Sequence, residues 1–151
     1  MTMKSILAAA FVLAVSPSWA AIELQPGEWQ TTETGTEDGK PVPPQVDTEC
    51  MSGAEARDAT NLVREMRDQM QGQGAQCQTF DVKQSGETVS FVMKCGEPKQ
   101  FFVDMTGTFT FVSATRYTGT MKSAVTMGNQ TTTADKKIEA VRVGACKGEK
   151  K

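Results

Sequence analysis

Apolar and polar positions change period along this chain, and each change marks an element. At Trp29 they alternate, with Trp29, Thr31 and Glu33 on one side and Gln30, Thr32 and Thr34 on the other. That is a strand with one covered face, entered through the turn Pro26-Gly27. Gly35 to Pro44 carries glycine, aspartate and three prolines, the chemistry of a loop. A short strand is expected from Gln45 to Cys50. Ser52-Gly53-Ala54-Glu55 then has the form of a capping box, in which serine and glutamate each satisfy an orphan N–H of a helix start. Behind it Ala59, Leu62, Val63, Met66 and Met70 recur at helical spacing, opposite Arg57, Asp58, Arg64, Glu65, Arg67 and Asp68. The pattern predicts one amphipathic helix, ended by Gly72 and Gly74.

From Gln76 the period returns to two. Phe80 and Val82 alternate with charged and polar residues, Ser85-Gly86 reads as a two-residue hairpin loop, and Val89, Phe91 and Met93 follow. Such a loop sets Val82 opposite Val89 and Phe80 opposite Phe91. Phe101, Val103, Met105, Phe109 and Phe111 form the most regular alternation, against Asp104, Thr106, Thr108 and Thr110. A tight connection at Ser113-Ala114 leads to a strand with Tyr117, Met121, Val125 and Met127 on one side. Gly128-Asn129 is the next turn, and a last strand runs from about Thr131 to Cys146. The fold class is therefore α+β, mainly β. It is an antiparallel meander of about seven strands, one face apolar and one rich in threonine, curved or closed into a partial barrel with the helix packed on it.

The chain has 151 residues, enough for one domain. Its first twenty residues form an address rather than structure. Lys4 precedes an apolar run from Ile6 to Val15, and Ser18 and Ala20 are small residues at the positions a signal peptidase reads. Ten apolar residues make a helix of about 15 Å, half the thickness of a bilayer core, so a membrane anchor fits poorly. Residues 1–20 are read as a cleaved signal peptide and 21–151 as a single secreted domain in the periplasm, with no stable membrane anchor after cleavage.

Export gives meaning to Cys50, Cys77, Cys95 and Cys146, because four cysteines outside the cytosol imply two disulfides. Three pairings exist. Hairpin register sets Cys77 opposite Lys94 on the polar face and leaves Cys95 on the apolar face, which argues against joining them. The favoured pairing is Cys50 with Cys77, stapling the ends of the helix, and Cys95 with Cys146.

Composition excludes several chemistries. There is no histidine, so no imidazole serves as general base or metal ligand. No CxxC pair, phosphate loop or nucleophile–base pair is present, and the expectation is a non-enzyme with no cofactor and no bound metal. The Met66/Met70 pair offers thioethers that suit Cu(I), but with no supporting ligand it reads as core filler. A formal charge of −2 leaves no basic footprint for nucleic acid. The remaining candidates are Trp29, Phe91, Phe101, Met105, Phe109, Phe111, Tyr117 and Met121, which either line a pocket for a small apolar ligand or simply fill the core. The alternative is an envelope protein–protein interaction or stress-response protein that uses the helix face or a sheet edge.

The order of landmarks resembles a bacterial family, the Domain of Unknown Function 3617. These landmarks are the signal peptide, Pro26-Gly27-Glu28-Trp29, Cys50 before the helix, Cys77 after it, Cys95 at a strand end, Tyr117-Thr118-Gly119, and Arg142-Val143-Gly144-Ala145-Cys146. Glu28 and Gln30 depart from residues common there. The resemblance implies an exported, disulfide-containing protein and brings no activity, ligand or catalytic residue with it.

Overall fold

The computed structural model describes residues 23–147, so the expected signal segment lies outside them. Seven strands form one antiparallel sheet: β1 Gly27–Glu37, β2 Lys40–Met51, β3 Cys77–Ser85, β4 Thr88–Glu97, β5 Phe101–Ser113, β6 Arg116–Met127 and β7 Gln130–Gly144. Their spatial order is β2-β1-β7-β6-β5-β4-β3. Strands β3 to β7 are a continuous meander, and the β1–β2 hairpin pairs onto the free side of β7. The sheet stays open, with β2 and β3 as its two edges.

Two features of the sequence reading change at β2. The segment read as a loop is a hairpin. Its turn is Asp38-Gly39, both residues at positive φ (47° and 74°), the Asp-Gly signature of a type I′ turn. The prolines survive because β2 is an edge strand and because the register slips there. Gln45 faces Glu33 and Val42 faces Gly35, so Pro43 and Pro44 together oppose Thr34 and neither has to donate to a regular ladder.

The expected single helix is two. The capping box is present, with the Glu55 N–H donating to Ser52 Oγ at 3.3 Å and the Ser52 N–H donating to the Glu55 carboxylate. It caps only α1, Gly53–Ala56. The chain then breaks at Asp58, whose carboxylate accepts from the Thr60 N–H at 2.9 Å and the Thr60 hydroxyl at 2.7 Å. This local bond competes with helix continuation and starts α2, Asn61–Gly72. Helix α2 lies against β3 and β4, with Val63 fully buried and Leu62, Met66 and Met70 packed at the margin of the core.

The hairpin β3–β4 turns at Gly86-Glu87, one residue later than expected. Val82 therefore faces Phe91 and Phe80 faces Met93. A shift of two along one partner keeps every side chain on its expected face. Beyond Thr79 a bulge moves Cys77 opposite Cys95. The extra residue turns the Cys77 side chain toward Cys95, and the two are bonded, with Cα atoms 3.8 Å apart. Cys50 pairs with Cys146, Cα to Cα 5.4 Å. The expected pairing of Cys50 with Cys77 and Cys95 with Cys146 is corrected on both counts. Cys50 lies in edge strand β2 and Cys77 in the opposite edge strand β3, six inter-strand spacings apart, or roughly 29 Å measured along the sheet.

The sheet curls where aromatic rings lie over glycines. Phe91 faces Gly107 across β4–β5, and Phe109 faces Gly119 across β5–β6. A Cβ on Gly107 would meet the Phe91 ring at 2.7 Å, and one on Gly119 would meet the Phe109 ring at 2.7 Å. Only a missing side chain lets the rings fold down onto the backbone. The concave face so formed holds the core, which runs from Trp29 through Tyr117, Phe111 and Phe109 to Phe91, Met93 and Val63.

Candidate functional site

The eight candidate aromatic and methionine residues do not all line a pocket. Trp29, Phe91, Met105, Phe109, Phe111 and Tyr117 are buried in the core, and Phe101 and Met121 pack against it half-buried. Tyr117 sits at the centre of the aromatic group. Its ring centroid is 5.5 Å from Trp29, 5.9 Å from Phe109 in an edge-on contact, and 5.8 Å from Phe111. The Trp29 indole N–H donates to the Gln25 carbonyl at 3.0 Å, so its polar end is satisfied.

Three of the eight also face a cleft of about 410 Å³ beside α2. Its floor is Phe109, Tyr117, Met121 and Ile138, and Leu62, Met66, Glu65 and Gln69 of the helix form one wall. The other wall is the inner face of the β1–β2 hairpin, with Thr31, Glu33, Asp47 and Glu49. Register explains that wall. Trp29 faces Glu49 and Thr31 faces Asp47, so the strand that buries Trp29 carries Thr31 and Glu33 inward as well. Helix α2 rests over β3 and β4 and leaves this side of the concave face uncovered, which is why polar residues stand on an inward-pointing row.

The cleft is amphipathic in a definite order, apolar below and acidic at the rim. All four of its charged residues are carboxylates: Glu33, Asp47, Glu49 and Glu65. Among the described residues none of them forms a salt bridge. On the same face of β7, Lys136 is engaged with Glu37 at 3.4 Å and the Arg142 Nε–H donates to the Pro26 carbonyl at 2.8 Å. The carboxylates are spread around the rim. Among the described residues no three acidic side chains converge as metal ligands do.

Burial is the main influence on titration at the site, and the neighbouring carboxylates add to it. Partial burial, followed by the charges of Glu55, Glu49 and Asp68, raises the Glu65 carboxyl above its ordinary value. Burial pushes the Tyr117 phenol up to about 12, with Glu49, Glu65 and Glu33 adding to the shift and the nearby Thr31 hydroxyl opposing it. Thr31 and Tyr117 are close, yet the Thr31 Oγ1 is buried with no hydrogen-bond partner. Tyr117 is only 4% exposed, and what remains of it faces the cleft.

Sequence reasoning placed Phe109, Tyr117 and Met121 here and missed the acidic wall. The signal was present: Glu33 shares a face with Trp29, and Asp47 and Glu49 alternate with Val46 and Thr48 in the strand leading to Cys50. A carboxylate on the same side as a core tryptophan marks a face that is only partly covered. No curated protein and no solved structure matches this chain. Residues 24–146 match the family model described as "Protein of unknown function (DUF3617)", and the chain belongs to that family.

Proposed function

We propose that the protein is exported to the bacterial periplasm and serves there as a non-catalytic binding module for a small, largely apolar ligand held between α2 and the concave face of the sheet. The carrying observation is the cleft itself. At about 410 Å³ it falls in the range of small-molecule sites, with Phe109, Tyr117, Met121, Ile138, Leu62 and Met66 offering apolar surface. The address-like first twenty residues support export, and so do two disulfides, which persist in oxidising compartments.

Uptake of the neutral dye Nile red by the folded protein tests this reading. A saturable rise in dye fluorescence is expected, and it should be lost in Met66→Trp, whose indole fills the cleft. Circular dichroism confirms that the variant is folded. Folded wild-type protein that takes up no dye overturns the proposal, and so does uptake that Met66→Trp leaves intact.

A further inference from the structure

We infer that the ligand is an organic cation with an apolar body, an alkyl or aryl amine, seated with its body on Phe109, Met121 and Ile138 and its ammonium group toward Tyr117, Thr31 and the acidic rim. This rests on the binding reading above and narrows it to a chemical class. Three observations converge. The rim carries four carboxylates and no cation, and none is neutralised by a salt bridge among the described residues. Where the β1–β2 wall meets the floor, the Thr31 and Tyr117 hydroxyls stand together. Thr31 Oγ1 is buried with no hydrogen-bond partner of good geometry, and the Tyr117 hydroxyl lies beside it. The Thr31 oxygen is a buried acceptor that an N–H donor in the cleft would satisfy. An ammonium group donates N–H bonds, and both hydroxyl oxygens accept. The third observation is aromatic. The exposed part of Tyr117 gives a cation a π surface beneath the carboxylates.

The spread of the carboxylates separates this ligand from a bare metal ion. A metal requires several oxygens at bonding distance around one point. A diffuse acidic rim over an apolar floor instead matches an amphiphile, whose charge stays near water while its body is buried. An anionic amphiphile of the same shape would meet four like charges.

Calorimetric titration with decylamine, decanol and decanoate below their micelle concentrations, at pH 7, tests the assignment. The three share a tail and differ in charge. Decylamine is expected to bind at least tenfold tighter than decanol, with decanoate weakest. In the double variant Glu49→Gln/Glu65→Gln the advantage of the amine over the alcohol should fall at least threefold, with decanol affinity unchanged, since each exposed ion pair contributes only a few-fold. Equal binding of amine and alcohol to the wild type overturns the inference and leaves the binding module standing. An amine preference untouched in the double variant also overturns it. If none of the three binds and Nile red is not taken up, both readings fall together.

Discussion

Next to α2, which lies against β3 and β4, strands β4 and β5 bury Val89, Phe91, Met93 and Val103 to 3% exposure or less. On the far side of the same concave face, the hairpin β1–β2 turns Thr31, Glu33, Asp47 and Glu49 inward, and β2 is exposed along almost its whole length. Both regions are antiparallel strands of alternating pattern within one continuous sheet. They differ in whether a second layer lies over them. Alternation decides which way a side chain points, and a covering element decides whether that side becomes core. Here a helix of twelve residues is too short to cover seven strands, and the uncovered part is the cleft.

Each region has its own disulfide, and removing them should separate the two most strongly. Cys50–Cys146 spans 96 residues and ties the cleft-side edge strand to the end of β7, whereas Cys77–Cys95 spans 18 within one hairpin. Loop entropy assigns about 4.7 kcal/mol to a closed loop near 100 residues and about 3 kcal/mol to one near 15. Urea unfolding of Cys50→Ser/Cys146→Ser should therefore show the larger loss, and Cys77→Ser/Cys95→Ser the smaller. The reverse order would mean that the cleft side is held by something other than its bridge.

Side-chain truncation gives the next largest contrast. Phe91→Ala removes a ring packed on Gly107 in the covered half and should cost about 3–5 kcal/mol. Met121→Ala removes a half-buried side chain at the cleft floor and should cost less than about 1.5 kcal/mol. Comparable losses in chemical denaturation would show that the cleft floor is as well packed as the region under the helix.

The smallest effect is a matter of pH. The folded state raises the Glu65 pKa, so the folded protein holds this proton more tightly than the unfolded chain. The stabilising contribution is complete below the ordinary carboxylate value of 4.5 and is lost as pH rises through the higher folded value. Glu65→Gln should thus stabilise the protein by a few tenths of a kcal/mol at pH 7, given the exposure of the group, and by nothing at pH 4. Thermal melts at the two pH values measure this. A variant less stable than wild type at pH 7 would show that Glu65 has a favourable partner rather than acidic neighbours.

Much of the architecture was legible because it depends on neighbours in sequence. Period-two runs placed β3 to β7, turn chemistry placed Gly128-Asn129, and Ser52 with Glu55 placed a helix start. Three features depart from the pattern, each through a contact that periodicity does not report. The prolines after Asp38-Gly39 cannot donate and so read as a loop, but an edge strand with a slipped register does not require them to. Asp58 broke the helix through a bond to Thr60 that periodicity does not report. The Cys77 bulge reversed one side chain and with it the disulfide pairing.

Alternation, capping and turn residues act over a few positions, so strand count, helix existence and inward-facing residues could be read from the chain alone. Which strands become edges, which cysteines meet and which part of the concave face is left open depend on contacts between segments more than a hundred residues apart. The pairing of β1 with β7 decides all three. It sends β2 and β3 to opposite edges, brings Cys50 to Cys146, and leaves Glu33, Asp47 and Glu49 facing α2 across the cleft rather than packed beneath it. Only the folded sheet sets those distances, because local pattern carries no information about which distant strand completes a neighbour's hydrogen bonds.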